Sequence, residues 1–438
     1  MLSTNRGRIF LAMTTFILPF FLLNGFSPLK GFKRFVLKNG LSVFIKQDKK
    51  IPVASVQLWV KAGSVDETPE NNGISHFLEH IIFKGTENYS VSEISRAVES
   101  RGGIINAGTS KEFTCYYIDI PSSGFTDAIK IIADVANQKA IFPEDEIERE
   151  RTVIIEEIKR SEDSPENVLY ETFNKQLFTV TPYKWRVIGS TEVVSKLSRQ
   201  DLISYYKKFY VPNNMVLVIV GDINYKETKK LVEKLFSEAK KSDVPERKSL
   251  IEPVSEPSFE RVKKPVNYSY LLMGFLGPEV QQEEYQITAD VLSIILGVGR
   301  SSRLYHKLRE EQQLVYSIGS GFYTQKGTGV FFISALCSPE NVETVKDEVS
   351  REIEKIITEE IPEEELKKAR EIVKSQWYFE FETYHQQAQT VGYWALMENL
   401  GFIKNYLKNI NKVDSNLIKK FLKIYYTGLT TTVVDPQE

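Results

Sequence analysis

Short apolar runs broken by turn residues open the chain beyond residue 32, and longer helical periodicities follow. Phe35-Val36-Leu37 and Leu41-Ser42-Val43-Phe44-Ile45 flank Asn39-Gly40. Asn-Gly between apolar runs is a strong hairpin signal, because both residues tolerate the positive φ of a tight turn. Val53 to Val60 reads as the next strand. A polar loop, 63–73, then delivers the chain to a helix with Ser75 as its expected cap. Ser90 or Ser92 starts another helix that ends near Gly102-Gly103. Ile104 to Ile120 is strand-like, with Phe113, Cys115 and Tyr117 alternating. Phe125 to Gln138 has helical spacing, and Pro143 opens a charged helix from Glu144 to Ser161. Val216 to Val220 reads as a strand and Lys226 to Ala239 as a helix. Residues 240–258, rich in Lys, Ser, Pro and Glu, suit an interdomain linker.

The later half echoes the earlier one. Pro143-Glu-Asp-Glu-Ile-Glu-Arg-Glu-Arg is matched by Pro362-Glu-Glu-Glu-Leu-Lys-Lys-Ala-Arg at an offset of 219. Tyr206 to Tyr210 with Val216 to Ile219 is matched by Phe421 to Tyr425 with Thr431 to Val434 at an offset of 215. Self-similarity over about 200 residues predicts duplicated domains. The expected fold is α+β, with two homologous domains, each an antiparallel β-sheet packed against α-helices. The expected boundaries are 32–240, a linker at 241–258, and 259–438. The stretch 341–374 reads as a charged helix with a solvated face over a core stripe.

The first 28 residues stand apart. Arg6 and Arg8 precede an apolar run from Ile9 to Phe26, the arrangement of an export signal. Eighteen helical residues span about 27 Å, just short of a hydrocarbon core, so an N-terminal membrane anchor through residues 9–26 is the alternative. Either outcome places the body of the chain outside the cytoplasm, periplasmic or otherwise extracytoplasmic. Composition adds little else. A net charge of -2 gives no electrostatic reason for a nucleic-acid partner. Two cysteines, Cys115 and Cys337, build no disulfide framework and have no metal-ligand spacing.

The chemistry concentrates in Gly73-Ile74-Ser75-His76-Phe77-Leu78-Glu79-His80-Ile81-Ile82-Phe83-Lys84-Gly85-Thr86. His76 and His80 are four residues apart, so on a helix their imidazoles stack on one face and can grip one metal ion. Glu79, between them, can reach a water there without being a ligand itself. The order is the reverse of H-E-x-x-H, the inverzincin variant. Two of the chain's four histidines sit on this face. His306 and His385 have no partner at ligand spacing and read as structural. A third ligand is required for a catalytic zinc site, and the glutamates of 144–157 offer several candidates that spacing alone does not separate. Gly297-x-Gly299 makes no phosphate loop, because position 302 is Ser. Taken by itself, Ser301 to Ser317 is a helix ending in a strand, with Arg309 in a surface ion pair.

These residues resemble the pitrilysin/insulinase family of zinc metallopeptidases, in its short, processing-peptidase-like branch. The resemblance rests on the H-x-x-E-H segment, Asn106-Ala107-x-Thr109-Ser110, Glu150-Arg151-x-x-Ile154-x-x-Glu157, Pro182-Tyr183, Gly189 and Tyr210-x-Pro212-x-Asn214-Met215. It implies that Glu157 is the third zinc ligand beside His76 and His80, that Glu150 supports them, and that one Zn²⁺ is bound per chain. It implies that Glu79 is the catalytic base. By the same resemblance Arg309 and Tyr316, seven positions apart, bind the scissile peptide. The strand carrying Asn106 and Ala107 either pairs with an extended substrate as an edge strand near the catalytic centre or is an ordinary strand of the sheet. The family's usual His before Pro-Tyr is Thr181 here. The offset of 219 carries Glu157 onto Gln376, so the second copy retains the scaffold without the metal ligands.

The implied function is a zinc endopeptidase acting on peptides or unfolded segments in a closed chamber. Two domains do not enclose such a chamber, so the resemblance implies a homodimer, with a related partner subunit as the alternative. A catalytically silent scaffold and a maturation protease devoted to one peptide are the competing readings.

Overall fold

The computed structural model describes residues 27–437 apart from 248 and 255. The apolar segment 9–26 therefore lies outside the described residues. Among those described, no helix is long and apolar enough to cross a membrane.

The N-terminal half begins with β1 (Phe32–Val36), β2 (Ser42–Gln47) and β3 (Val53–Val60). Next come α1 (Ile74–Ile81), α2 (Val91–Glu99), β4 (Ile104–Thr109) and β5 (Thr114–Pro121). It continues through α3 (Phe125–Ala136), α4 (Glu144–Asp163), α5 (Pro165–Leu177), α6 (Thr191–Val194) and α7 (Arg199–Phe209). The half ends with β6 (Met215–Gly221) and α8 (Tyr225–Leu235). The C-terminal half has β7 (Phe259–Lys264), β8 (Ser269–Gly277), α9 (Glu283–Gly297), β9 (Val315–Tyr323) and β10 (Gly329–Cys337). It closes with α10 (Val342–Thr358), α11 (Glu363–Phe379), α12 (Tyr384–Leu396), α13 (Leu400–Ile410), α14 (Ser415–Tyr425) and β11 (Thr430–Pro436). The charged stretch 341–374 is thus two helices, α10 and the first part of α11. Pro362 caps the second, because a proline lacks the N–H that a continuing helix would need.

The six-stranded sheet has the order β1-β2-β6-β3-β5-β4 and the five-stranded sheet β7-β11-β8-β10-β9. From β2 and β7 onward the two orders coincide, so the duplication visible in the sequence is a duplication of topology. Each sheet is antiparallel except for one parallel pair, β2 with β6 and β7 with β11. The offset of 215 between β6 and β11 is one residue out. Val216, Val218 and Val220 join the apolar cluster that contains Val391 and Trp394 of α12. In β11 the equivalent face carries Thr432, bonded to Gln176 of α5, and Val434, packed with Phe173. Side chains alternate along a strand, so these faces match only at an even offset.

The halves exchange a helix. α12, from the C-terminal half, lies on β3 and β6, whereas α5, from the N-terminal half, lies on β8 and β11. One face of each sheet packs on helices of its own half, and the other face packs on the exchanged helix. Full burial of Phe173 on α5 contributes about 1.5–3 kcal/mol by apolar burial; the ring is 1% exposed. The close approaches depend on two glycines. A Cβ at Gly274 of β8 would lie 2.9 Å from the Phe173 ring, and one at Gly392 of α12 would lie 2.2 Å from Trp59 Nε1.

The run between α8 and β7 is tied down at several points. The Arg247 guanidinium forks onto Asp66 at 2.7 Å through both nitrogens. Glu252 accepts the backbone N–H groups of Thr179, Val180 and Thr181 at 2.7, 2.9 and 2.8 Å. Beneath it, the Tyr183 hydroxyl donates to Glu112 at 2.5 Å and accepts the Gly327 N–H at 3.0 Å, joining the β4–β5 turn to the β9–β10 turn. A Gly392→Ala substitution should cost about 1–3 kcal/mol by overpacking against Trp59, outweighing its gain in helix propensity. Gly401→Ala, whose Cβ has its nearest neighbour at 3.4 Å, should be neutral or slightly stabilising. Urea unfolding midpoints of the two variants check the contrast.

Candidate metal centre

α1 forms because Ile74, Phe77, Leu78 and Ile81 recur at helical spacing and are all buried in one core. Its start differs from the sequence expectation. Gly73, at φ +103°, is the residue before the helix, and Ser75 lies inside the first turn. The Ser75 hydroxyl instead meets the Tyr205 hydroxyl at 2.9 Å. The free N–H groups are taken by Glu67, whose carboxylate accepts Gly73 N–H at 2.8 Å and Ser75 N–H at 2.9 Å. A negative group there also suits the positive end of the helix dipole. Burial pushes the Glu67 pKa up, while the hydrogen bond from Gly73 pulls against that rise. Gly73 has no room for a side chain, since a Cβ would lie 2.8 Å from Ile188 O and 3.0 Å from Gly189 Cα.

α4 runs alongside α1, burying Ile147, Ile154 and Ile158 in the same core. Glu150 and Glu157 are seven residues apart, two helical turns, and so share the face toward α1. Arg151 pins the two helices. Its guanidinium lies 5.2 Å over the Phe77 ring and donates to Leu197 O at 2.7 Å.

Across this contact three donors converge. His76 Nε2 is 4.0 Å and His80 Nε2 3.6 Å from Glu157 Oε2. The ligand atoms of His76, His80 and Glu157 all lie within 4.8 Å of one another. A tetrahedral zinc ion about 2.1 Å from each donor needs separations of roughly 3.4 Å, so small side-chain rotations suffice to close on it. Two imidazoles and one carboxylate are also a donor set that zinc takes. A pair of ordinary core histidines has no need to aim both Nε2 atoms at one carboxylate oxygen. His76 Nδ1, on the other side of its ring, is buried with no hydrogen-bond partner among the described residues.

The two rings differ electrostatically. Burial lowers the His76 pKa, so that ring is neutral at pH 7. Burial also opposes charge on His80, but hydrogen bonds to Glu150 and then Glu157 outweigh it and hold its pKa at about 9. Glu157 is held below the usual carboxylate range, first by its bond to His80. Its side chain is 43% exposed, so the site opens to solvent on that side. Glu156 points away and pairs with Lys159 at 2.8 Å, which separates the two neighbouring glutamates in a way spacing could not.

Glu79 sits half-buried on α1 beside His80. Its charge reaches His76 and His80, and also the Tyr116–Tyr210 hydroxyl pair, whose oxygens are 2.7 Å apart. Glu150 bridges His80 Nδ1 at 3.0 Å and Lys84 Nζ at 2.7 Å. Asn106 is exposed and Ala107 buried on β4, the edge strand of its sheet. α1 packs on that strand. The Asn106 side chain accepts the Ala107 N–H at 2.8 Å.

Arg309 and Tyr316 lie in the C-terminal half. Arg309 lies on a π-helical segment, Tyr305–Glu311, and Tyr316 on β9, the edge of the second sheet. The Tyr316 hydroxyl meets Ser338 at 3.0 Å, and its ring packs on Tyr268 at 4.6 Å. Among the described residues, no hydrogen bond or ion pair joins either of them to His76, His80 or Glu157. His306 is exposed beside Glu311 at 3.3 Å, and His385 Nδ1 meets Asp119 at 2.7 Å. Sequence reading missed Lys84 and Glu67. Lys84 stands four residues after His80, a spacing that could have flagged it, whereas nothing local marks Glu67.

Residues 42–191 match the model of the insulinase family, peptidase family M16, and residues 196–373 match that of the M16 inactive domain. An uncharacterised zinc protease of Rickettsia felis is 30% identical over 412 residues, covering 92% of this chain and 97% of the relative. The crystal structure of a protease from Helicobacter pylori superposes with a TM-score of 0.86 at 26% identity, covering 92% of this chain and 99% of that one. A Pseudomonas fluorescens structure described as a peptidase M16 inactive domain superposes at 0.85 with 18% identity, over 93% and 98% of the two chains. Identity of that extent, over nearly the full length of both chains, shows common descent: the chain belongs to the M16, or insulinase, family of peptidases.

Proposed function

We propose that the protein is a zinc endopeptidase, hydrolysing peptides or unfolded segments. The observation that carries the reading is the convergence of His76, His80 and Glu157 beside a carboxylate, Glu79, that no ion pair neutralises among the described residues. Zinc held by these three would supply Lewis acidity, polarising a peptide carbonyl and easing the deprotonation of water. Glu79 accepts the proton of the attacking water and returns it to the leaving amine. Glu150 holds the Nδ1 proton of His80, which leaves Nε2 directed at the metal. The free edge of β4, beside α1, offers main-chain groups to an extended peptide and is indifferent to its sequence.

Arg309 and Tyr316 take substrate-binding roles in this reading. Lying on the other half, with no bond to the triad among the described residues, they serve a site shared between chains in this proposal, which is why a homodimer is proposed over a single chain. A phenol can donate to a developing oxyanion, and a guanidinium can fork onto a carbonyl. The N-terminal run places the enzyme outside the cytoplasm in the same proposal.

Glu79→Gln should retain stoichiometric zinc and lose turnover of a quenched peptide by at least about 100-fold, the usual size of a general-base contribution. Glu157→Gln should lose zinc on dialysis, whereas Glu156→Gln should keep it. Equal behaviour of those two variants would remove Glu157 from the ligand set. Stoichiometric zinc with no cleavage across a peptide library would instead favour a silent scaffold. Tyr316→Phe should lower kcat more than it raises KM; the reverse would make the residue a binding group only.

The chelated protein has its own pH dependence. The His80 pKa is raised from 6.5 to about 9, so its stabilisation is complete below about pH 6.5 and is lost as pH rises through 9. Glu150 is lowered from 4.5 to about 2, so its contribution is complete above 4.5 and is lost as pH falls through 2. After chelation the Tm should therefore fall between pH 6.5 and 9. His80→Gln should flatten that decline, as differential scanning calorimetry would show.

A further inference from the structure

We propose that Lys84 is a positioning residue for the metal centre, acting through Glu150 on His80. The inference rests on the zinc-site reading above and names a residue that reading does not use. The two oxygens of Glu150 have separate tasks. Oε2 accepts from His80 Nδ1 at 3.0 Å, and Oε1 accepts from Lys84 Nζ at 2.7 Å. The carboxylate is nearly enclosed, with its side chain 10% exposed, and the Lys84 side chain is 31% exposed. A buried carboxylate with one oxygen bonded can still rotate about its terminal torsion, which is broad. With both oxygens bonded, the plane of the group is held.

Lys84 follows α1 directly, its N–H bonded to Ile81 O at 2.9 Å. Its side chain thus ties the end of the histidine helix to the middle of α4. His80 is held from the same carboxylate one turn earlier. Glu157 lies two turns further along α4 on the same face, so rotation of α4 about its axis would carry Glu150 and Glu157 away from α1 together. The Lys84–Glu150–His80 chain resists that rotation on one side, and Arg151 over Phe77 resists it on the other. Hydrogen-bonded supports behind metal-binding histidines are typically worth 10–100-fold in metal affinity. The ammonium itself touches neither His76 nor Glu157 among the described contacts, so it orients the centre through Glu150 alone.

The test uses the full chain with zinc and cobalt as probes. Zinc affinity is read by competition with a chromophoric chelator, and ligand geometry by the visible bands of the cobalt-loaded protein. Lys84→Met should weaken zinc by about 10–100-fold and alter the cobalt bands. Lys84→Arg, which keeps a charged donor, should recover most of both. Lys159→Met, removing an exposed partner on the same helix, should change neither. In a Glu150→Gln background, Lys84→Met should cost little more, since the two act through one contact. Wild-type affinity and bands in Lys84→Met, or full additivity with Glu150→Gln, would overturn the inference while leaving the zinc site standing. If Lys84→Met is too unstable to load, Lys84→Gln answers the same question, and wild-type zinc binding there overturns it too. A wild-type chain that takes up no zinc overturns the site reading and this inference together.

Discussion

The packing of α1 against α4 is the contact on which everything chemical in this molecule depends. His76 and His80 belong to one helix and Glu157 to the other, so no local interaction assembles the three. The contact is fixed at three levels. Phe77, Ile81, Ile154 and Ile158 supply burial. Arg151 locks the helices laterally and reaches back to Leu197. Glu67 takes the free N–H groups at the start of α1, so the helix begins where the histidines require. Each of these residues acts by limiting how the two helices can turn or slide. Positions of side chains in a close-packed interior then follow with little freedom.

The C-terminal half repeats the scaffold, and among the described residues the group that could hold a metal ion lies in the other half. Glu365 on α11 is the counterpart, at the offset of 219, of Glu146 on α4. It receives a fork from Arg303 at 2.9 and 2.8 Å. An arginine–carboxylate pair thus joins helical segments in that half, at a position matching Glu146 and eleven residues before the one that matches Glu157. A guanidinium carries its charge permanently and needs no third ligand.

Reciprocal exchange of α5 and α12 explains why the two halves do not behave as beads on a string. Each sheet would expose an apolar face if its guest helix left, and the largest core cluster runs from Phe44 and Trp59 through α12 into the second half. The linking residues are fastened by Arg247 and Glu252 and add a polar seam to this apolar one. In that seam Arg247 is paired with Asp66, and the buried Glu252 is satisfied by backbone N–H groups instead of a counter-charge. The position of β9, with Tyr316, relative to β4 is set by this combined interface.

Much of this was legible in the sequence, where periodicity and punctuation are local properties. The Asn39-Gly40 hairpin, β3, the α4 start at Pro143 and the duplication all follow from spacing that short-range sterics enforce. His76, Glu79 and His80 were legible for the same reason, because four residues on a helix bring two side chains to one face. Glu157 was reached through the family resemblance and not through spacing, since its partners lie on another helix and Glu156 looks the same in one dimension; packing shows that one faces α1 and the other Lys159. Ser75 was misjudged as a cap because a carboxylate eight residues upstream, brought back by the loop, already held those N–H groups. The exchanged helices, the even register of β11 and the Lys84–Glu150–His80 chain were likewise decided by tertiary structure. Each depends on which surfaces meet once the apolar faces are buried, and a linear pattern encodes the faces without their partners.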